Sequence, residues 1–115
     1  MPNEGIVIKA GSRLVLEVVY LKGRGKISLD GNVLFREMDI EGKFDAIAQI
    51  LDEGEHCLDF TVSAAGGSAY DFRTSVKVVK DGHPESLVTS IRLKSSGYPD
   101  DTTAGETMRF SAVRR

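Results

Sequence analysis

The groups that could do chemistry in this 115-residue chain are two histidines, one cysteine and scattered carboxylates and serines. His56 and Cys57 are adjacent, behind Asp52, Glu53 and Glu55. A thiol becomes a nucleophile when an imidazole sits within reach of it. The stretch around the pair forbids that contact. His56, Leu58, Phe60, Val62 and Ala64 point one way, and Cys57, Asp59, Thr61 and Ser63 the other. A period of two marks a half-buried strand, so His56 and Cys57 project from opposite faces. His56 is expected to be a half-buried corner residue whose ring nitrogen meets a backbone group. His83, beside Pro84, lies in a connector. No His-x-x-His, Cys-x-x-Cys or His-Glu-x-x-His spacing occurs, so no transition-metal site is expected.

The remaining polar groups point the same way. Asp52-Glu53-Glu55 and Asp100-Asp101 are oxygen-rich, and loop oxygens can hold Ca²⁺, but neither follows a calcium-loop spacing. Both are expected to face water. Asp59 and Asp71 would be neighbours across a hairpin, where Arg73 or Lys77 would pair with them. Serines fall in glycine-rich turns or on strand faces, without a Gly-x-Ser-x-Gly elbow. Lys22-Gly23-Arg24-Gly25-Lys26 resembles a phosphate cradle only in its glycines. No helix follows to complete one, so it reads as a turn with solvated charges. The expectation is no catalytic, cofactor-binding or metal residue, no cofactor and no enzymatic activity.

The elements that carry these groups are strands. Apolar residues are 41% and charged residues 28% of the chain, enough for one core, and with a single cysteine no intrachain disulfide can help it. Ile6-Val7-Ile8 is a short strand. Leu14, Leu16, Val18 and Tyr20 line one face of the next. Asp30-Gly31 marks a type I′ hairpin turn between Ile27-Ser28-Leu29 and Val33 to Ile40. Residues 44–51 fit either a helical stripe or a strand and are assigned as strand from their surroundings. His56 to Ala64 and Ala69 to Lys80 read as two long strands joined by a hairpin at Ala65-Gly66-Gly67-Ser68, with Tyr70, Phe72, Thr74, Val76 and Val78 inside. Asp81 to Glu85 is a connector. Leu87, Thr89, Ile91 and Leu93 form another strand. Ser95 to Thr103 is a polar loop, and Met108, Phe110 and Ala112 share a face of the last strand. Regular turn signals and no alternating helices predict an all-β, antiparallel sandwich of about seven to nine strands. The expected division is a sandwich over residues 5–80, then a connector and a C-terminal β-hairpin over residues 81–115. That hairpin either docks on the sandwich or begins a second repeat, because Ala104-Gly105 to Val113 echoes Ala10-Gly11 to Val19.

Asp52-x-Gly54-x-His56-x-Leu58 resembles, in spacing, the Asp-x-Gly-x-Tyr-x-Cys corner of immunoglobulin domains. His56 stands in place of the Tyr and Leu58 in place of the Cys. Without a disulfide or a Trp, the chain looks like the disulfide-free immunoglobulin-like or fibronectin-type modules of bacterial and phage proteins. Ala10-Gly11-Ser12-Arg13-Leu14 resembles the lead-in to the second strand of such modules. The likeness spans residues 5 to 80 and implies a fold and a non-enzymatic binding or structural role, with no functional residue carried over. The chain would then be one repeat of a larger surface or virion protein. A freestanding inhibitor or immunity-type protein that masks a partner is the alternative. A net charge of −2 gives no reason to expect nucleic acid. A protein partner, or self-association through an edge strand, is expected. No run of 18 apolar residues and no signal-peptide pattern occurs, so no membrane insertion is expected; the location is cytoplasmic for the chain as written, or extracellular or on a virion surface if it is excised from a larger protein.

Overall fold

One strand organises the architecture. In the computed structural model, residues 6–40, 44, 47–64, 69–80, 86–96 and 102–114 are described. Their elements are β1 (Ile6–Lys9), β2 (Arg13–Leu29), β3 (Asn32–Ile40), β4 (Ile47–Ile50), β5 (Gly54–Ser63), β6 (Asp71–Val79), β7 (Ser86–Lys94) and β8 (Thr103–Val113). All eight belong to one sheet, curled like half a barrel, in the order β1-β8-β5-β2-β6-β7, with β3 and β4 also paired to β2. The 17 residues of β2 pair with four other strands. β3 and then β4 follow it antiparallel, as do β5 and then β6.

This layout corrects three expectations. β5 and β6 are not a hairpin. Ser63 faces Arg24 and Asp71 faces Lys22, so the chain runs on in the same direction along β2. Residues 65–68 of the expected turn lie outside the described residues. Both strands alternate cleanly, and alternation fixes which face a strand buries but not which strand it meets. Second, among the described residues of 81–115 no two strands pair as a hairpin. β7 pairs with β6, while β8 lies between β5 and β1. Third, the sheet is not purely antiparallel: Ile6 to Lys9 run parallel to Phe110 to Val113.

The expected turn at residues 22–26 is also corrected, because β2 passes straight through it. Leu14, Leu16 and Val18 are buried, and so are Leu21, Gly23, Gly25, Ile27 and Leu29. The parity of the buried face changes between Val18 and Leu21. A bulge between Val18 and Tyr20 in the β2–β6 ladder supplies the extra residue, so the core face is kept. Tyr20, expected inside, is thereby turned outward and is 38% exposed. A second shift between Leu21 and Arg24 in the β2–β3 ladder adds to the bend. Gly23, at φ +98°, sits in it, and its N–H donates to Asp39 Oδ1 at 2.7 Å. The neighbouring chains break near the same level: β3 gives way to β4, β5 to β6, and β7 to β8.

The glycines at the bend make room for the core. A Cβ on Gly25 would stand 2.9 Å from Leu21 Cδ1 and 3.2 Å from Phe72 Cζ. Phe72 stacks on Phe35 at 6.0 Å, and Phe35 meets Phe44 edge-on at 5.2 Å. Elsewhere the inner face follows the sequence reading: Leu58, Phe60, Val62, Tyr70, Phe72, Thr74, Val76, Met108, Phe110 and Ala112 are buried. Asp30 (φ +51°) and Gly31 (φ +84°) form the turn between β2 and β3 with the two positive φ values expected there. Ile47 to Ile50 are a strand, as assigned. At one end of the sheet, Gly11 N and Leu51 O, and Leu51 N and Ser12 O, tie the lead-in of β2 to that of β5 at 2.8 and 2.9 Å. Among the described residues no helix is long and apolar enough to cross a membrane.

Candidate functional site

The Asp30 turn and the start of β5 meet around His56. Nδ1 of His56 lies 2.6 Å from Asp30 Oδ2, and Nε2 lies 2.7 Å from the Asp52 carbonyl. Asp30 Oδ1 accepts the Cys57 N–H at 2.8 Å. A carbonyl and a carboxylate are both acceptors, so the arrangement favours the imidazolium, in which both ring nitrogens donate. Burial alone would lower its pKa. The Asp52 carbonyl and then Asp30 outweigh that and raise it above the usual histidine value. His56 is therefore the corner residue expected, bonded to the backbone as expected, with the Asp30 clamp an unforeseen addition. Both of its nitrogens are spoken for by this structural bonding.

Cys57 does project to the other face. Its thiol lies 3.9 Å from both Asp59 carboxylate oxygens. Burial, and then Asp59, push its pKa upward, which is the opposite of thiolate activation. Asp59 and Asp71 are separated by the run-on of β5 into β6. Asp59 accepts from Thr107 Oγ1 at 2.6 Å. Asp71 accepts from Arg73 (2.9 and 3.3 Å), as anticipated, and also from Arg92 (3.0 and 3.2 Å). Burial opposes its ionisation, yet the two guanidinium groups bring its pKa below the usual carboxylate value. Asp52, Glu53 and Glu55 are exposed. No group of three or more His, Cys, Asp or Glu able to hold a metal occurs among the described residues. His83, Asp100, Asp101 and the side chain of Leu87 lie outside the described residues.

The feature that the sequence reading missed is a hollow on the outer face of the sheet. Its volume is about 590 Å³, and it spans β3, β2, β5 and β8. Two rows of cross-strand neighbours build it. Arg36, Lys26, Thr61 and Gly105 form one row, and Arg24, Ser63 and Thr103 the next. Arg24, Lys26 and Arg36 are exposed and line it together with Thr61, Ser63, Thr103 and Gly105. None of the three cations makes a hydrogen bond or an ion pair among the described residues. The signal was present in Lys22-Gly23-Arg24-Gly25-Lys26. An alternation of cations with glycine fits a strand with an outward charged row as well as it fits a turn.

The sheet is also open. β7 pairs with β6 and has no strand on its other side among the described residues. Its sequence, Ser-Leu-Val-Thr-Ser-Ile-Arg-Leu-Lys, holds no Pro, Gly or acidic residue. β3, a second outer strand, carries Arg36, Glu37 and Asp39 along its middle, charges that deter strand addition, whereas the charges of β7, Arg92 and Lys94, lie at its C-terminal end. Comparison of the chain with protein-family models, with curated proteins and with solved structures gives no match.

Proposed function

We propose that this chain is a non-enzymatic binding or structural module of the immunoglobulin-like kind, with its curled sheet the counterpart of a small β-sandwich. In this reading it belongs with the disulfide-free repeats of bacterial or phage surface and virion proteins, and it engages a protein through its sheet. One observation carries the proposal: the nine-residue edge of β7 holds Val88, Thr89 and Ile91, lacks Pro and acidic residues, and is unpaired on one side among the described residues. Backbone N–H and C=O groups along such an edge are a template for another strand. The bonding of His56 into the corner supports a structural role for the chain's most suggestive chemical group.

Size-exclusion chromatography with light scattering over rising concentration tests the edge. Self-association that is lost when Pro replaces whichever of Thr89 and Ser90 turns its N–H away from β6, with the thermal melt unchanged, supports it. A monomer at every concentration overturns self-association through β7. The alternative, a small masking protein whose partner is a different chain, would then take precedence.

A further inference from the structure

The outer face shows how it handles cations that it can neutralise. Lys22, Asp71 and Lys94 form one cross-strand row, and Tyr20, Arg73 and Arg92 the next. Asp71 receives two guanidinium forks, and Arg73 also lies 5.1 Å over the Tyr20 ring. Arg24, Lys26 and Arg36 lie further along the same face of β2 and its neighbour β3, with no carboxylate paired to them among the described residues. Lys26 faces Arg36 directly across the ladder. Like charges placed directly opposite are destabilising. The floor beside them is small: Thr61, Ser63, Thr103, and Gly105 with no side chain at all.

We infer that this hollow is a docking surface for an acidic segment of a partner protein, and that its carboxylates take, at Arg24, Lys26 and Arg36, the role that Asp71 plays in the adjoining row. The methylene stems of Asp or Glu lie over Thr61 and Gly105 while their oxygens reach the guanidinium and ammonium groups. Bidentate arginine–carboxylate pairing sets the geometry. A single-stranded nucleic acid fits less well. Its bases stack on aromatic platforms, and the tyrosine of this face, Tyr20, is two rows away and already under Arg73. The inference does not depend on the β7 edge, since it concerns a different surface.

The probe is a fluorescein-labelled peptide of alternating Glu and Leu, titrated with the intact chain at low and at physiological salt. Salt-sensitive binding is expected. The Arg24→Glu/Arg36→Glu variant should lose about tenfold or more in affinity, and Lys9→Glu, in β1, should bind as the unaltered chain does. Thermal melts verify that each variant folds. If the charge-reversed protein does not, Arg24→Gln/Arg36→Gln is read in the same way. The proposal is overturned if the unaltered chain leaves the peptide unbound, if binding survives the substitutions, or if a labelled oligothymidine binds more tightly at the same salt.

Discussion

Lys22-Gly23-Arg24-Gly25-Lys26 presents two opposite problems on the two faces of one strand. On the inner face Gly23 and Gly25 are buried, where a Cβ at Gly23 would meet the Ser63 backbone and one at Gly25 would displace the Leu21 side chain. On the outer face Lys22, Arg24 and Lys26 are exposed, and the size of their side chains hardly constrains the fold. The difference separates what holds the sheet from what is free to meet a partner. Inner positions answer to atoms already in place, at distances of a few ångströms. Outer positions answer to charges, of which Asp71 supplies one and the hollow supplies none among the described residues.

The largest effect is expected where inner packing and backbone geometry coincide. A Cβ on Gly23 would stand 2.5 Å from the Ser63 carbonyl oxygen and 3.0 Å from Tyr70 Cβ, at φ +98°. The positive φ costs a β-branched residue about 1–3 kcal/mol, and displacing backbone adds a similar overpacking term. Gly23→Val should therefore lose about 2–6 kcal/mol, a large part of the stability of a small domain. Urea unfolding measures it. A loss below about 1 kcal/mol would show that the bend of β2 is not pinned at Gly23 and would erase the contrast between the faces.

This contrast also explains what was legible in the sequence. The alternation of Leu58, Phe60 and Val62, of Tyr70 to Val76, and of Met108 to Ala112 gave the buried face correctly, because burial follows from the pleat alone. Asp30-Gly31 gave its turn because two adjacent positive φ values demand such residues. Tyr20 was misplaced because a bulge shifts parity without leaving a composition mark. The run-on of β5 into β6 was misread as a hairpin because glycine signals a break and is silent about what the next strand pairs with. The hollow was illegible for a related reason. Thr61 and Thr103 are distant from Lys26 in sequence, and the register shift between Ile27 and Ser28 puts Arg36 rather than Phe35 opposite Lys26 across the Asp30-Gly31 hairpin. The corner reading of His56 succeeded because its partner Asp52 is local, while Asp30, 26 residues away, could not be foreseen.

His56 offers an intermediate test, a charged group on the inner side of β5 at the end of the sheet. Its side chain is 15% exposed, and two acceptors favour its protonated form. Hydrogen bonds to charged groups contribute about 1.5–3 kcal/mol. His56→Ala should accordingly lose about 1–3 kcal/mol. The pKa is raised in the folded protein, so the folded state holds the proton more tightly than the unfolded chain does. That contribution is complete below the ordinary histidine value of 6.5 and is lost as pH rises through the higher folded value. Urea midpoints measured from about pH 6 to about pH 9 should fall in the unaltered protein and stay flatter in Asp30→Asn. Equal slopes would place the pH dependence elsewhere.

The smallest effect belongs to the outer face, and its sign is the informative part. Lys26→Gln removes a cation that faces Arg36 and has no carboxylate partner among the described residues. Relief of a directly opposed like charge is worth about 0.2–0.5 kcal/mol, so the variant should be neutral or slightly more stable. Asp71→Asn should shift the midpoint the other way, because it leaves Arg73 facing Arg92 without the carboxylate that both now share. Both shifts should shrink as salt is raised, since these are exposed charges. Paired urea titrations at low and high salt resolve the two signs. If Lys26→Gln instead costs more than about 1 kcal/mol, Lys26 is holding the sheet together, and the outer row ceases to be a surface held in reserve for a partner.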